Sequence, residues 1–438
     1  MLPLKITPIG GVGEIGNNCF LYENNGEAIV VDCGIDPGSN EVEEDILKRF
    51  ESLYDKNVKA ILLTHAHLDH AAVGIVLAKK LNVPLYVSRI SKLFIQSFNN
   101  KYDRQTDNSE KSRISNVDIK IFEDQVKFNI GIVEITPIQM EHSIPESFGF
   151  LINWAGKHVF HLGDCKLTGF WLESRARSIQ RLKEVGAYGI DLLVMDVLNI
   201  RYPGFTEPES EVVDSIIDLI NQAPDKKHYI FLFASNLRRI SALWNQLWRR
   251  AQVHFNGASM INTSYLLEAI AKKRMRTYSK KVHSKTSVHF GTGCQGEEKS
   301  FIRQLADSEK IEPGDRIYIS ASLIPGKNYT ANRRKKRSFR ELLKRLKDRG
   351  AEIFVQTGQK NIYGDFVHEA HLHVSGHEGY NGLSKIVESV RPKWLLPYHV
   401  PHQVRFAAKV EKLAFDVAKI IGEEIFVLDA KNHETIRI

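Results

Sequence analysis

Between Ala60 and Ala71 the chain reads A-I-L-L-T-H-A-H-L-D-H-A, which crowds three histidines and an aspartate, His65, His67, Asp69 and His70, into six residues directly after an apolar, strand-like run. Few conformations tolerate that density. Imidazole and carboxylate groups packed so closely repel or stay unsatisfied unless a cation organises them. If the run closes a strand, His65 and His67 alternate to the same side, and a following turn redirects Asp69 and His70 toward a second point nearby. One segment can then serve two ions. Neutral imidazole and carboxylate suit zinc, with manganese or magnesium as the alternatives where carboxylate and water dominate.

The surroundings have an α/β rhythm. EAIVVDCG, VKAILLTH and VPLYVS are short β-branched runs, and EEDILKRFESLY and HAAVGIVLAKKL between them carry helical patterns. HVFHLGD (158–164) and DLLVMD (191–196) read as further strands, each closing on a carboxylate where a sheet hands over to a loop. Near Tyr202-Pro203-Gly204 a turn leads into Thr206-Glu207-Pro208-Glu209, which reads as a capping box opening an amphipathic helix through Ile220. A second α/β series follows in HYIFLFAS, LRRISALWNQLWRRA, RIYISASL, SFRELLKRLKDRG and AEIFVQTG, with Gly350 as a helix C-cap. Strand-end histidines then return, as in KWLLPYHV, so the middle segment reads as an insertion: 1–203 and 369–438 form one domain and 204–368 the other. The polar stretch from Asn99 to Ser115 reads as a surface loop.

A chain of 438 residues that is 43% hydrophobic can bury the cores of two soluble domains without covalent staples. The four cysteines, Cys19, Cys33, Cys165 and Cys294, are scattered, which suggests neither a disulfide framework nor a zinc ribbon and favours reduced thiols in the cytoplasm. No leader pattern and no uncharged apolar run of about 18 residues is present, so neither secretion nor a membrane span is expected. Net charge is +8, bunched in Lys272 to Arg276, Lys280 to Lys285 and Arg333 to Arg337. Such runs are solvated faces or the footprint of a polyanion.

H-x-H-x-D-H is the signature of metallo-β-lactamase-fold hydrolases, and the remaining motifs resemble the ribonuclease J branch of the β-CASP nucleases. The matching segments run in order along nearly the whole chain: Gly10-Gly11-Val12-Gly13-Glu14-Ile15-Gly16-Asn17-Asn18, His142-Ser143-Ile144-Pro145-Glu146-Ser147, Gly163-Asp164-Cys165-Lys166, Phe233-Ala234-Ser235-Asn236, Thr292-Gly293-Cys294-Gln295-Gly296-Glu297, Ile324-Pro325-Gly326 and His373-Val374-Ser375-Gly376-His377. The resemblance implies an α/β fold, a metallo-β-lactamase αββα sandwich with an inserted β-CASP domain. It implies that His65, His67 and His142 hold one divalent ion, that Asp69, His70 and His399 hold another, and that Asp164 bridges them. Asp32, in VVDCG, looks like the family's aspartate that orients the ligand histidines. Taken alone, Asp32 would be a turn residue, His142 a loop histidine and His399 a buried one.

Two ions a few ångströms apart supply what phosphodiester hydrolysis needs, an acidified water and positive charge at the phosphate. The leaving oxygen benefits from a proton, which in the β-CASP pattern comes from the position of His377, poised by Asp196, with His371 and His373 close by in sequence. Ser235, Asn236 and Arg238, between a strand and a helix, are expected to take a substrate phosphate, against the plain alternative of a helix N-cap and a surface arginine. Ser375 and Gly376 are expected to let backbone approach a phosphate, and the Gly10 to Gly16 glycines read as a tight connection beside the metals.

The expected activity is hydrolysis of single-stranded RNA, as a 5′-3′ exonuclease, an endonuclease or both. His399 supports RNA, because DNA-processing relatives generally carry valine at that position. A DNA nuclease of the same superfamily is the first alternative. A thioesterase- or lactonase-type hydrolase shares H-x-H-x-D-H but explains neither the insertion nor His377, and a scaffold that has lost its chemistry is disfavoured by a complete ligand set. Cys165 and Cys294 stand where the family more often has phenylalanine and serine, and Val400-Pro401 replace the usual glycine-glutamate. The sequence stops near the point where ribonuclease J proteins commonly add an assembly domain, so a homodimer cannot be inferred from it.

Overall fold

Runs that are apolar at successive positions, such as EAIVV and LLVMD, can be stable strands only if both faces are covered. The computed structural model covers them. It describes residues 2–36, 43–99, 117–272, 284–297, 299–308, 310–322, 333–401 and 404–438. The stretch 100–116 and the Ile324-Pro325-Gly326 motif lie outside the described residues, as do most of the basic runs near 273–283 and the side chains of Arg333 to Arg337.

The chain divides into two units, Met1–Thr206 with Gly376–Ile438, and Glu207–Ser375. In the first unit, one seven-stranded sheet runs in the spatial order Ile436–Arg437, Lys5–Gly10, Cys19–Asn24, Glu27–Val31, Val58–Leu62, Leu85–Val87, Ile119–Ile121. The other runs Phe426–Val427, Trp394–Tyr398, Leu192–Asp196, Lys157–Leu162, Ser147–Trp154, Val133–Met140, Phe128–Ile130. Phe20, Tyr22, Val31 and Leu62 of the first sheet pack with Phe148, Val159, Val194 and Tyr398 of the second in one buried cluster. Each such side chain contributes roughly 1.5–3 kcal/mol by leaving water.

Alternation explains the continuous apolar runs. Leu192 and Val194 point into this inter-sheet core, whereas Leu193 and Met195 of the same strand join a second cluster beneath the helices Ser174–Gly186, Tyr380–Val390 and Val404–Ile421. Two sheets with helices outside make the αββα sandwich. Cys165 lies in that second cluster and Cys294 in the core of the other unit, so both substitutions of the family pattern are packing residues.

Three adjacent strands of the second sheet, Lys157–Leu162, Leu192–Asp196 and Trp394–Tyr398, are parallel. Asp164, Asp196 and His399 therefore emerge together at their carboxyl ends, the side on which open α/β sheets bind ligands.

The second unit holds a six-stranded, all-parallel sheet in the order Gln252–Phe255, Ser287–Gly291, Lys227–Phe231, Arg316–Ile319, Glu352–Gln356, His368–Ala370. Its helix Arg333–Asp348 ends as expected, with Gly350 at a φ of 97°. Thr206 departs from expectation. The helix is Glu209–Asn221 with Pro208 at its N-cap and no side-chain cap bond, so Thr206 caps nothing; its backbone and hydroxyl are taken up elsewhere, as described below. All four cysteines are buried and free, and no described helix is long and apolar enough to cross a membrane.

Candidate metal centre

The strand Val58–Leu62 ends two residues before Thr64, where the chain bends, and His67, itself extended, is the N-cap of the one-turn helix Leu68–Ala71. This turn separates the two halves of the motif. His65 and His67 lie in the connection before the helix, whereas Asp69 and His70 are carried round onto it.

His65, His67 and His142 each bring a nitrogen to one point. His65 Nε2 lies 3.1 Å and His142 Nε2 3.0 Å from His67 Nδ1. The outer nitrogens show which atoms carry protons. Thr64 Oγ1 donates to Asp32 Oδ2 at 2.8 Å, so it can accept from His65 Nδ1 at 3.1 Å. His142 Nδ1 donates to the Gly376 carbonyl at 2.8 Å. Both rings thus turn Nε2 lone pairs inward, onto a third imidazole nitrogen. His67 Nε2 is buried without a hydrogen-bond partner. Burial, followed by neighbouring imidazoles, holds His65 and His142 well below the ordinary histidine range, and burial lowers His67 to about 4, so all three are neutral at pH 7. Three inward lone pairs with no proton between them fit a divalent cation: tetrahedral zinc–nitrogen bonds of about 2.0–2.1 Å put ligand nitrogens little more than 3 Å apart.

A second group brings ligand atoms of Asp69, His70, Asp164 and His399 within 4.8 Å of one another. His70 Nδ1 donates to Asp32 Oδ2 at 2.7 Å, and its Nε2 faces Asp164 Oδ2 at 3.1 Å. Burial opposes the charge on this ring, but Asp164 and Asp32 outweigh it and raise its pKa well above the usual value. A proton on His70 Nε2 occupies the place a cation would take. His399 Nε2 lies 3.7 Å from Asp69 Oδ2 and 4.0 Å from Asp164 Oδ2. The side-chain amide of Asn18 sits between His70 Nε2, at 2.9 Å, and His399 Nδ1, at 3.0 Å.

Asp164 is shared with a third group. Its Oδ2 is 3.8 Å from His377 Nδ1, which in turn bonds Asp196 Oδ2 at 2.6 Å; Asp196 Oδ1 accepts from the Leu198 backbone at 2.8 Å. Burial disfavours the His377 imidazolium, yet the carboxylates of Asp196 and Asp164 lift its pKa to about 9. His70, His399 and His377 hold the Asp164 carboxyl well below its usual range against the opposing effect of burial.

Backbone conformation is specialised at two of these positions. Asp32 and His399 have φ of 61° and 62°, a region costly for residues other than glycine and found mainly where surroundings impose it. The His399 amide donates to Gly11 O at 2.7 Å, and Val12–Gly13 pairs with Val400–Pro401, so the glycine-rich N-terminal connection holds the turn that carries His399.

Other expected residues are placed differently. Gly376 abuts His142: a Cβ there would lie 2.7 Å from His142 Cε1, so the missing side chain makes room for the imidazole. Asn236 is the N-cap of helix Leu237–Leu247, accepting from the Arg239 backbone at 3.1 Å, and Ser235 and Arg238 flank it in the second unit. His371 and His373 also belong to the second unit, the former 3.3 Å from Glu207 and the latter 3.1 Å from Arg239 Nη1. Asn18 and Thr64, given no role by the sequence reading, bond the rings of His399 and His65; their adjacency to the motif residues was the available signal.

The sandwich and its histidine–aspartate cage define a metallo-β-lactamase-fold hydrolase that binds divalent metal, and the metallo-β-lactamase superfamily profile matches residues 12–214. The profile of the ribonuclease J β-CASP domain matches residues 226–335. The ribonuclease J of Thermus thermophilus is 27% identical over 444 residues, covering 96% of this chain and 73% of that protein. The enzyme of that name from Corynebacterium glutamicum is 29% identical over 416 residues, covering 90% of this chain and 53% of the other. A solved structure of a protein of unknown function from Enterococcus faecalis V583 shares the fold over the full length of both chains, with a TM-score of 0.69 at 16% identity. The chain thus carries a metallo-β-lactamase superfamily domain and a ribonuclease J β-CASP domain, and along most of its length it is similar to proteins named ribonuclease J.

Proposed function

We propose that this chain is a metal-dependent ribonuclease that hydrolyses phosphodiester bonds of single-stranded RNA with two divalent ions. The observation that carries the reading is the sharing of Asp164, whose one carboxylate lies within ion-pair reach of His70, His399 and His377. Metal cage and proton donor thus meet at a single residue.

His65, His67 and His142 would hold one ion and Asp69, His70 and His399 the other, with Asp164 between them; the nitrogen-rich first set favours zinc. When bound, the two ions acidify water and stabilise the charge that gathers on the phosphate. Asp32 would keep the His70 ring in register and Asn18 the His399 ring, each through Nδ1. With Nδ1 committed to Asp196, proton transfer to the leaving oxygen runs through His377 Nε2. Ser235 and Arg238, at a helix N-terminus, and Ser375 are proposed to position the phosphate backbone.

The decisive experiment uses a single-stranded RNA labelled at its 5′ end, carrying 5′-monophosphate or 5′-hydroxyl, beside DNA of the same sequence. RNA cleavage with DNA spared is expected. Equal cleavage of DNA, or cleavage of neither polymer by metal-loaded protein, overturns the assignment. Labelled mononucleotides identify 5′-3′ exonuclease action and internal fragments endonuclease action.

The basic runs are expected to make RNA binding steeply salt-dependent, with log K falling against log[salt] by about 0.7 for each phosphate neutralised. Replacing Arg333, Arg334, Lys335 and Lys336 by alanine should flatten that slope. An unchanged slope would return this run to an ordinary solvated helix face.

A further inference from the structure

Immediately after His377 stands Glu378, a carboxylate with 0% exposure that belongs to none of the metal-binding groups. Its oxygens are fully employed within the first unit. Oε2 accepts from the Leu167 backbone at 2.6 Å, and Oε1 accepts from the backbones of Thr206 at 2.6 Å and Gly379 at 3.0 Å. Leu167 lies three residues beyond Asp164, on the same loop. Thr206 closes the arrangement, because its hydroxyl donates to the His377 carbonyl at 2.8 Å, where Asn199 Nδ2 also donates at 3.0 Å. Space for the carboxylate comes from Gly382, where a Cβ would lie 2.2 Å from Glu378 Cγ and Cδ.

Apolar packing could fill this volume, but it is not directional. A buried carboxylate with short, charge-assisted bonds to backbone amides fixes distance and orientation together. The two segments it joins carry Asp164 and His377, whose 3.8 Å separation couples the cage to the proton donor.

We propose that Glu378 is a positioning residue for the phosphodiester reaction, holding the His377 segment against the Asp164 loop through the Leu167 and Thr206 amides. It touches neither substrate nor metal. The inference rests on the reading of His377 as the proton donor, and its test is arranged to fail separately from that reading.

The full-length, metal-loaded protein is compared as wild type, Glu378→Gln, His377→Ala and the double variant, on RNA and on bis(p-nitrophenyl) phosphate, whose leaving group needs no proton. Glutamine turns an N–H toward a backbone N–H and breaks one arm of the clamp. Glu378→Gln should lower kcat on RNA by about 10–100-fold, the usual cost of losing a supporting partner, with KM and metal content unchanged. The loss on the nitrophenyl ester should be under about 3-fold, and the double variant should be no slower on RNA than His377→Ala alone, as for residues acting as a unit. Equal losses on both substrates, additivity with His377→Ala, or loss of metal would overturn the proposal and leave Glu378 a general structural residue. If His377→Ala itself slows both substrates equally, the proton-donor reading fails and takes this proposal with it. Should Glu378→Gln not fold, Glu378→Asp, with the acceptor oxygens one methylene short, carries the same comparison.

Discussion

His67→Ala is expected to strip the protein of most of its bound divalent metal and to reduce RNA cleavage to background. His67 Nδ1 is the atom on which His65 Nε2 and His142 Nε2 converge, at 3.1 and 3.0 Å. Without it, two inward lone pairs remain where three were held, and a site with two neutral ligands competes poorly with water for a divalent ion. The loss should exceed the roughly 10–100-fold that an outer, supporting residue costs. Elemental analysis of the wild type should return close to two ions per chain. The fold should survive, because the inter-sheet core is built from residues such as Phe20, Leu62 and Phe150 and does not include His67. An active variant free of metal would end the two-metal reading.

His377→Ala should separate chemistry from metal binding. The ring is fixed by Asp196 at 2.6 Å and approaches Asp164 at 3.8 Å, and these carboxylates raise its pKa to about 9 against the effect of burial, so at pH 7 it carries the proton to be delivered. Its removal should keep both ions and near-normal RNA affinity while slowing RNA cleavage by roughly 10²–10⁴-fold, the usual contribution of a positioned acid. Asp196→Asn should lose part of that, since the ring keeps its place but not the carboxylate that favours its charge. A nitrophenyl phosphodiester should be much less sensitive than RNA. Metal loss from the alanine variant would instead make His377 a ligand.

What the sequence made legible was whatever its chemistry packs into a short stretch. His65 and His67 follow a strand closely and Asp69 and His70 lie on the next helical turn, so a local reading already divides them into two pairs. The α/β rhythm was likewise readable, because apolar runs covered on both faces leave a continuous signature in segments such as LLVMD, whereas the αββα layering came from the family resemblance. His142, Asp196, His377 and His399 needed the family pattern, as their partners are distant in the chain: His142 bonds a carbonyl 234 residues away.

Residues whose work is done through long-range backbone contacts were misread or missed. Thr206 matched a helix cap locally, yet its amide and hydroxyl serve Glu378 and His377. Gly376 was expected to let backbone approach a phosphate, and its contact with His142, where a Cβ would lie 2.7 Å from Cε1, was not foreseen. Glu378 announced nothing and Asn18 only its place in a motif, because a buried amide or carboxylate is identified by its partners and not by its neighbours in sequence.

The two stretches that form the first unit are separated by the whole of Glu207–Ser375, and this imposes an order on synthesis. A ribosome delivers His65, His67, Asp69, His70, His142 and Asp164 early, but the Gly376 carbonyl that orients His142, the His377 side chain and His399 emerge only after the intervening unit. Throughout that interval the nascent chain lacks His399 and the proposed proton donor. A site assembled from both stretches thus cannot be completed before the intervening unit has been made.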